Sequence, residues 1–205
     1  YGQPDPIPNA LVYVPTGTVL PLTRDGGGVT CDQCLDGVSG SPLVSTYSDI
    51  DGGFVLDNVP CGMGVDVPVV FQLGKWRRQI TVSNPACCAT TPLTAEQTRL
   101  PRKQAEQHPN DNIPLMAVVT GNVDTIECVL PKIGIAADQY SAPDAGGRVR
   151  FYVDNGATYS GGGATAPSAA TLFDNLNELK KYDMVVLDCV GSAPSAFSSA
   201  SGVWA

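Results

Sequence analysis

Residues 46–82, TYSDIDGGFVLDNVPCGMGVDVPVVFQLGKWRRQITV, carry the strongest fold signal in the chain and predict three strands separated by two turns. The first turn is DIDGG, residues 49–53, where short acidic side chains cap their own backbone and glycines accept positive φ. Apolar side chains then recur about every second residue at Phe54, Leu56 and Val59, which is the period of a half-buried strand. The PCGMG sequence that follows ends this first predicted strand.

The two remaining predicted strands are rich in β-branched and aromatic residues, as strands in sheets usually are. They cover residues 67–72 and 76–82. The LGK sequence between them, residues 73–75, predicts a hairpin turn. An antiparallel β domain is therefore expected around this stretch.

The composition fits a β-rich protein with many loops. Of the 205 residues, 43% are hydrophobic and 16% are charged, and the chain holds 22 glycines and 17 prolines, which suits a β domain better than a helical bundle. The net charge of −8 repels phosphate backbones, so no nucleic-acid partner is expected. No apolar run approaches about 18 residues, so no transmembrane span is expected in this stretch.

Seven cysteines favour an oxidising compartment, and their odd number leaves at least one thiol free or paired with another chain. Five are candidates for disulfides in the first half: Cys31, Cys34, Cys61, Cys87 and Cys88. A bond from Cys61 to Cys87 or to Cys88 would close a loop of about 26 residues and contribute roughly 3 kcal/mol on chain-entropy grounds. A bond between the adjacent Cys87 and Cys88 is a more strained alternative.

The expected fold class is α+β with two domains. Residues 1–100 predict an antiparallel β-sandwich of the transthyretin or immunoglobulin type, and residues 101–113 predict a polar linker. Inside the first domain, residues 10–14 predict the first strand. Residues 17–45 predict a long loop, with a short strand over 42–48.

Residues 114–205 predict a partial three-layer α/β domain with a parallel sheet of the flavodoxin-like type. Its predicted elements are strands over 115–120, 147–153 and 183–189 and an amphipathic helix over 169–181. Asp124 is expected to cap a short helix that carries Cys128 as a small core residue. Three strands are few for such a fold, so we expect the domain to continue past Ala205. The start at Tyr1, without a signal-peptide pattern, fits a processed terminus or an excised fragment.

Three runs in the first domain point to one family: PNALVYV at residues 8–14, SDIDGGFVL at 48–56 and NVPCG at 58–62. Over roughly residues 6–82 the chain resembles the carboxypeptidase regulatory-like domains. These are small transthyretin-like β-sandwiches found in many secreted and surface proteins. The resemblance therefore implies a β-sandwich in an exported protein.

The whole chain also resembles exported surface proteins of myxobacteria and their relatives. Runs similar to theirs occur in the same order at residues 73–79, 98–102, 113–117, 127–128 and 132–135. This resemblance implies an exported multidomain protein and brings no activity with it. The second half is similar to flavodoxin-like and glutamine-amidotransferase-like folds only in its order of elements, which is an analogy at the level of the fold.

Two groups of residues are candidates for a metal site. Cys31 and Cys34 have the spacing of zinc or redox sites, which Cys61, Cys87 and Cys88 could complete, whereas structural disulfides are the simpler interpretation.

The acidic candidates are Asp49 and Asp51, whose spacing before Gly52 resembles the start of a calcium loop. The twelfth position is Pro60 instead of the glutamate that an EF-hand requires, so an EF-hand is excluded. An irregular calcium site and a capped turn are the remaining alternatives. No cofactor is expected.

Trp76 and Arg78 share one face of their predicted strand and are the candidate ligand-binding residues, for a glycan or another ligand. The alternative is a hairpin whose tryptophan covers the core and whose arginines, Arg77 and Arg78, pair with aspartates. The glycines at 161–163, before a helix, are a candidate anion site, with a flexible loop as the alternative.

Cys189 ends a predicted strand and is followed by Val190 and Gly191, an arrangement like the nucleophile elbow of hydrolases and amidotransferases. A catalytic cysteine needs a base, and the only histidine of the chain is His108, in the predicted linker. Cys189 is the catalytic candidate if its base lies beyond Ala205. The alternative, an ordinary buried cysteine in a chain without enzymatic activity, is favoured.

The expected function is that of an exported, non-catalytic structural protein, extracellular or at the cell surface. It would associate with itself or with another surface protein. Its Pro-rich arm, residues 1–8, would add as a strand to a neighbouring subunit and build filaments. The alternatives are a hydrolase or amidotransferase that uses Cys189, and an adhesin that binds a glycan through Trp76 and the 17–45 loop.

Overall fold

The structure is a computed structural model that describes residues 5–22, 38–124, 126–143, 145–161, 164–189 and 191. The described residues divide into two compact units, one that ends at Ile113 and one that starts at Pro114. The first contains an antiparallel sheet and the second a parallel sheet, so the fold class is α+β. Cys31, Cys34 and much of the 17–45 loop lie outside the described residues.

A four-stranded antiparallel sheet with strand order β2-β1-β3-β4 forms the first unit. Its strands are β1 (Leu11–Pro15), β2 (Pro42–Tyr47), β3 (Asp66–Leu73) and β4 (Trp76–Ser83), and a short helix follows, α1 (Ala95–Thr98). Val12 and Val14 pack on one face of this sheet, while Tyr13 packs with Val70 on the other. β1 is a central strand of the sheet and buries side chains on both of its faces.

The predicted hairpin is confirmed. β3 and β4 pair along their whole lengths, and the last pair, Leu73 with Trp76, leaves Gly74 and Lys75 as the loop. Gly74 has a φ of 54°, which glycine adopts without the steric cost that a Cβ would add. The two short strands predicted earlier in the chain are present as β1 and β2.

The strand predicted over residues 54–59 is wrong, because these residues pair with no described strand. Alternate apolar side chains of this segment are half-buried against one face of the sheet: Phe54, Leu56 and Val59. The ring centroids of Phe54 and Phe71 lie 5.6 Å apart, edge to face. Asn58 has a φ of 59°, which breaks an extended backbone. The alternating pattern therefore belongs to a loop that covers the sheet.

In the described part of the first unit, no second sheet faces the first. The 54–59 loop covers one face together with Leu93 and Leu100, which pack against the same core cluster. Of the two sheets that a β-sandwich requires, the described residues of the first unit form one, and loops cover one of its faces.

Residues 101–113 are not a linker, because they pack on β4 and belong to the first unit. Asp111, Asn112 and Ile113 are buried. The backbones of Arg77 and Asn112 exchange two hydrogen bonds, of 3.0 and 2.8 Å. The polar groups of this segment therefore meet buried partners on β4 instead of solvent.

A parallel sheet with strand order β10-β5-β7-β6 forms the second unit. Its strands are β5 (Met116–Thr120), β6 (Tyr140–Ser141), β7 (Val149–Val153) and β10 (Met184–Leu187). The other described elements are a two-stranded hairpin, β8 (Ser160–Gly161) and β9 (Ala164–Thr165), and the helices α2 (Val129–Lys132), α3 (Ala170–Phe173) and α4 (Leu176–Leu179). One-turn 3-10 helices cover Ile126–Cys128 and Ala137–Gln139. The predicted parallel sheet is confirmed, and the short β6 adds a strand that the sequence pattern did not indicate.

The helix predicted over residues 169–181 is split into α3 and α4. Asn175, between them, has an extended backbone with φ −124° and ψ 97°. Its side chain accepts hydrogen bonds from the N–H groups of Asn177 and Glu178, so it starts a new helix where the periodic pattern predicts a continuous one.

Glu178, on α4, binds two buried tyrosines beside the core of this unit. The Tyr152 hydroxyl donates to Glu178 Oε1 at 3.0 Å and lies 2.7 Å from the Tyr182 hydroxyl. Lys181 forms an ion pair with the other carboxylate oxygen. Burial acts to raise the pKa of Glu178, but hydrogen bonds from Lys181 and Tyr152 outweigh it and hold the pKa below its usual value.

We expect Glu178→Gln to remove an acid-sensitive part of the stability of the second unit. A carboxylate whose pKa is lower in the folded state stabilises that state above its unfolded pKa, about 4.3 for glutamate, and the contribution is lost as the pH falls through the folded pKa. Urea unfolding followed from neutral pH into acid should therefore show a shallower loss of stability in the variant. Equal losses in variant and wild type would contradict this role.

Candidate functional site

The parallel sheet has a point where the order of its strands reverses. From β5 the chain adds β6 and β7 on one side and later places β10 on the other. In open parallel sheets, ligands bind outside the carboxyl ends of the strands at such a switch point. The candidate site therefore lies where β5 and β10 end, and we call it the β5–β10 edge: Thr120, Asp124, Glu127, Asp188 and Cys189.

Buried polar residues stand at the carboxyl ends of three neighbouring strands. Thr120 ends β5, Asp154 follows β7 and Asp188 follows β10, with exposures of 5%, 5% and 7%. The Asp154 N–H donates to the Thr120 carbonyl at 3.0 Å, and the Asp188 N–H donates to the Val119 carbonyl at 3.1 Å. Since Leu187 pairs with Val119, the register places Asp188 beside Thr120 on one face of the sheet.

Glu127 approaches the same edge from the 3-10 helix that follows β5. Thr120 Oγ1 donates a hydrogen bond to Glu127 Oε1 at 3.2 Å. The second carboxylate oxygen, Oε2, is buried and has no hydrogen-bond partner among the described residues. The β5–β10 edge thus holds a buried carboxylate oxygen next to a threonine hydroxyl. This oxygen could accept a hydrogen bond from a ligand.

Cys189 is exposed at this edge, and its N–H donates to Asp124 Oδ1 at 2.9 Å. Asp124 therefore joins the loops after β5 and β10. A Cβ at Gly191 would lie 2.7 Å from Val123 Cγ2, so the two loops meet where only glycine fits. Cys128, expected in the core, is exposed, because its helical turn lies on the surface.

Among the described residues of the β5–β10 edge, the groups that could act as a base toward Cys189 are carboxylates, and none is a histidine. The only histidine, His108, belongs to the first unit, where its Nδ1 accepts a hydrogen bond from the Asn110 N–H at 3.0 Å. A thiol becomes nucleophilic beside a base or a positive charge. The side chain bonded to the Cys189 backbone is instead the carboxylate of Asp124.

Arg78 has no surface to offer a glycan or another ligand. Trp76 is half-buried, and Arg78 is completely buried. The Arg78 guanidinium donates to the Arg99 carbonyl at 3.3 Å and to the Gln107 side chain, and it lies 3.8 Å from the Glu106 carboxylate. Arg78 is thus buried, and its partners are a carbonyl, a glutamine and a glutamate, whereas the alternative interpretation of this hairpin expected aspartates.

Arg77 is buried on the opposite face of β4, next to Tyr13 and Asp111. Burial lowers the pKa of the Arg77 guanidinium, while Tyr13 and Asp111 act to raise it. The buried Asp111 carboxylate accepts hydrogen bonds from three backbone N–H groups, those of Gln79 at 3.0 Å, Gln107 at 2.9 Å and His108 at 3.1 Å. We call Arg77, Arg78 and Asp111 the arginine anchor, because they hold the 101–113 segment on β4.

Arg99 extends the arginine anchor toward α1. Its guanidinium binds Glu96 at 2.6 and 2.8 Å and Glu106 at 2.9 and 3.0 Å. The hydrogen bonds that Arg99 donates to Glu96 and then to Glu106 raise the pKa of Arg99. Burial acts to raise the pKa of Glu106, but Arg99 outweighs it and lowers that pKa. Of these two ion pairs, only the one between Glu96 and Arg99 could be expected from the sequence, because these residues have helical i, i+3 spacing.

The candidate metal ligands Asp49 and Asp51 lie in a turn that closes on itself. Asp49 Oδ1 accepts hydrogen bonds from the N–H groups of Asp51 at 3.0 Å and Gly53 at 2.7 Å, and Gly52 has a φ of 74°. The predicted capped turn is therefore confirmed. Across the described ranges, no group of three or more His, Cys, Asp or Glu residues is placed to hold a metal ion.

Among the described cysteines of the first unit, Cys61 and Cys87 form a disulfide. This settles the open choice of partner for Cys61. Cys88 is exposed and forms no disulfide with a described residue. Its φ of 58° lies in the left-handed region, and in the folded structure Cys87 is the residue that is bonded to Cys61.

A groove of about 800 Å³ lies beside this disulfide, between the 52–61 turn, the sheet and residues 85–98. Its walls include the apolar side chains that cover the sheet: Phe54, Leu56, Val67, Val69, Val82 and Leu93. The groove thus belongs to the core face of the sheet and does not contain the candidate residues Trp76, Arg78 or Cys189. Of the glycines at 161–163, Gly162 and Gly163 lie outside the described residues.

No helix in the part of the chain that the structure describes has the length and hydropathy needed to span a bilayer. Comparison of the chain with protein-family models, with curated proteins and with solved structures found no match.

Proposed function

We propose that the protein is an exported, non-catalytic structural component of the cell surface or the extracellular space. Its first unit would be a β-sandwich of the carboxypeptidase regulatory-like type, and its second unit a flavodoxin-like α/β domain. The observation that carries the proposal is the Cys61–Cys87 disulfide. Structural disulfides persist in oxidising compartments and are rare in the reducing cytosol.

The contacts of Cys189 support a role without catalysis. Its backbone is bonded to an anionic side chain, Asp124, and the chain's only histidine is bonded within the first unit. The expected partner is a further copy of this chain or another surface protein. Contact would be made through the edges of the sheets, since exposed edges accept added strands.

The described part of the N-terminal arm is bound to its own unit, which changes how assembly is proposed. The Ile7 carbonyl accepts a hydrogen bond from Ser48 Oγ at 2.7 Å, and the Asn9 N–H donates to the Ser48 carbonyl at 3.0 Å. Residues 7–9 are therefore occupied and cannot be given to a neighbour without breaking these bonds. Self-association would use a sheet edge in their place.

The proposal is tested on the intact protein from its native host. Mass spectrometry without reduction should find the protein outside the cytosol, with Cys61 linked to Cys87. Sedimentation velocity should show species larger than the monomer as concentration rises. A cytosolic protein with both thiols reduced would overturn the proposed location, and a monomer at all concentrations would overturn the proposed assembly.

The second candidate is a hydrolase or amidotransferase that uses Cys189, and the position of Cys189 at the switch point favours it. Iodoacetamide labelling of the native protein separates the two roles, with the exposed Cys128 as an internal control. We expect both thiols to react at similar rates, as ordinary exposed cysteines do. Labelling of Cys189 that is at least about tenfold faster would indicate an activated thiolate and favour the enzyme.

A further inference from the structure

We propose that Cys88 is the attacking thiol of an internal disulfide exchange, in which the bond between Cys61 and Cys87 passes to Cys61 and Cys88 and back. The structure places an exposed thiol directly after an exposed disulfide. The three residues form a reactive site in the first unit, which we call the sulfur centre. The inference goes beyond the proposed function, because neither self-association nor a partner chain takes part in the exchange.

The backbone keeps Cys88 within reach of Cys61. The Cα atoms of Cys61 and Cys87 lie 5.1 Å apart, and consecutive Cα atoms are about 3.8 Å apart. No more than about 9 Å therefore separates the Cα atoms of Cys61 and Cys88. Since disulfides span roughly 4.4–6.8 Å between Cα atoms, a movement of about 2 Å or less brings this pair into the range of a disulfide.

All three residues of the sulfur centre are accessible. Each of them is exposed, Cys61 lies in a loop, and Cys87 and Cys88 lie in a turn. Access is one of the factors that decide how fast a thiol attacks a disulfide, and exposed disulfides are the labile ones. The attack therefore does not require the core of the first unit to open.

Cys61 and Cys88 also face a common space. Both residues line the groove of about 800 Å³ that lies beside the disulfide. The groove has room for a second sulfur next to Cys61, so the Cys88 thiol can approach from this side without replacing an apolar side chain of the core.

Hydrogen bonds outside the sulfur centre hold its two loops together. The Gly62 N–H donates to the Pro85 carbonyl at 3.0 Å, and the Asn84 N–H donates to the Val65 carbonyl at 2.7 Å. The Gly64 N–H donates to Asn84 Oδ1 at 2.7 Å. None of these contacts involves a cysteine, so they keep the thiol beside the disulfide while the bond changes partner. Holding two reacting groups together in this way raises their effective concentration.

The exchange balances without an external oxidant or reductant. The Cys88 thiol gives its proton to solvent, and the thiolate attacks Cys61 Sγ. A bond forms between Cys88 Sγ and Cys61 Sγ while the bond from Cys61 to Cys87 breaks. The electron pair of the broken bond stays on Cys87 Sγ, which takes up a proton. One disulfide and one thiol are present before and after the step.

Attack on Cys61 is favoured over attack on Cys87. Attack on Cys87 would join two adjacent residues, whose Cα atoms are only about 3.8 Å apart, below the roughly 4.4 Å at which ordinary disulfides begin. Attack on Cys61 instead preserves the closed loop. Its length changes by one residue from the separation of 26 that the Cys61–Cys87 bond closes, and the chain-entropy model treats two such loops as nearly equivalent.

Alkylation of the oxidised, folded protein tests the exchange. Iodoacetamide at high concentration should trap the starting form and label Cys88, with Cys87 still bonded. At low concentration the bond has time to move before a label attaches, so the share of label on Cys87 should grow as the reagent is diluted. Acid quenching and fragmentation between residues 87 and 88 locate the label. The exposed Cys128 reports the alkylation rate of a thiol outside the sulfur centre.

Two variants control this experiment. Cys88→Ser keeps the bond of the wild type and removes only the attacking thiol, so labelling of Cys87 should fall by at least about tenfold. Cys87→Ser should join Cys61 to Cys88 in the folded protein, as peptide mapping without reduction would show. Circular dichroism verifies that both variants remain folded. Since the attack is internal, the share of label on Cys87 in the wild type should not change with protein concentration.

The outcomes decide between the exchange and its alternatives. Label on Cys87 that grows as the reagent is diluted and is lost in Cys88→Ser supports the exchange. Label on Cys88 alone at every reagent concentration overturns it, and so does a Cys87→Ser variant in which Cys61 and Cys88 stay unbonded. Label on Cys61 as strong as on Cys87, or a dependence on protein concentration, would show that the bond opens by another route and also overturns it. A protein that stays monomeric overturns only the proposed assembly.

Discussion

Asp111→Ala is expected to lower the free energy of unfolding of the first unit by about 3 kcal/mol, on the order of 1 kcal/mol for each of the three hydrogen bonds that the Asp111 carboxylate accepts. The change strips the acceptor from three backbone N–H groups and removes a negative charge that acts on the buried Arg77 guanidinium. Each buried donor that loses its partner keeps the full cost of its desolvation. The 101–113 segment should then detach from β4.

Urea denaturation measured through Trp76 fluorescence reports on this unit alone when Trp204, the other tryptophan, is replaced by phenylalanine. The matched control is Asp57→Ala, which removes an exposed carboxylate from the same unit and should change the stability by less than about 0.5 kcal/mol. If Asp111→Ala cost no more than this control, the arginine anchor would have no structural role.

The second large effect is expected from the disulfide. Replacing both Cys61 and Cys87 by serine should destabilise the first unit by about 3 kcal/mol, since the bond closes a separation of 26 residues and limits the unfolded chain. The double variant is preferable to a single one because Cys88, exposed next to Cys87, would otherwise offer a replacement thiol to Cys61.

Reducing agent supplies an internal check on this prediction. It should lower the stability of the wild-type first unit by the same amount and leave the double variant unchanged. Cys128→Ser removes an exposed thiol that forms no described disulfide and serves as the control. A reduced wild-type protein as stable as the oxidised one would show that the bond does not restrain the unfolded state.

The parts of the fold that the sequence predicts are those decided by local chemistry. The β3–β4 hairpin follows from Gly74 and the β-branched residues around it, and the 49–53 turn follows from the reach of Asp49 to its own backbone. Both depend on residues that are close in sequence. The buried strand β5 was likewise predicted from its continuous apolar run.

The incorrect predictions share one cause, which is that partners distant in sequence decide the outcome. An alternating pattern at 54–59 shows which side chains face the core and not whether the backbone has a strand beside it. The polar residues at 101–113 predict a solvated linker. Their partners, Arg77 and Arg78, lie more than 20 residues earlier, so the composition of the segment alone does not reveal the contact.

The candidate site was accessible to sequence analysis only in part. The apolar run before Cys189 predicts a strand that ends at Cys189, and β10 ends two residues earlier, at Leu187. Glu127, Thr120 and Asp188 were not recognised as its neighbours. Their meeting depends on β10 lying next to β5, and strand order does not follow from the pattern of any single segment.

The attachment of residues 101–113 to β4 also sets where a fragment that contains the first unit should end. A truncation after residue 100 would leave two arginine side chains facing water across a half-built interface, with the outer strand stripped of its backbone partners. A protease that cleaved within residues 101–113 would likewise disrupt the first unit and would not release two intact units. The natural cutting point lies at the junction of Ile113 and Pro114.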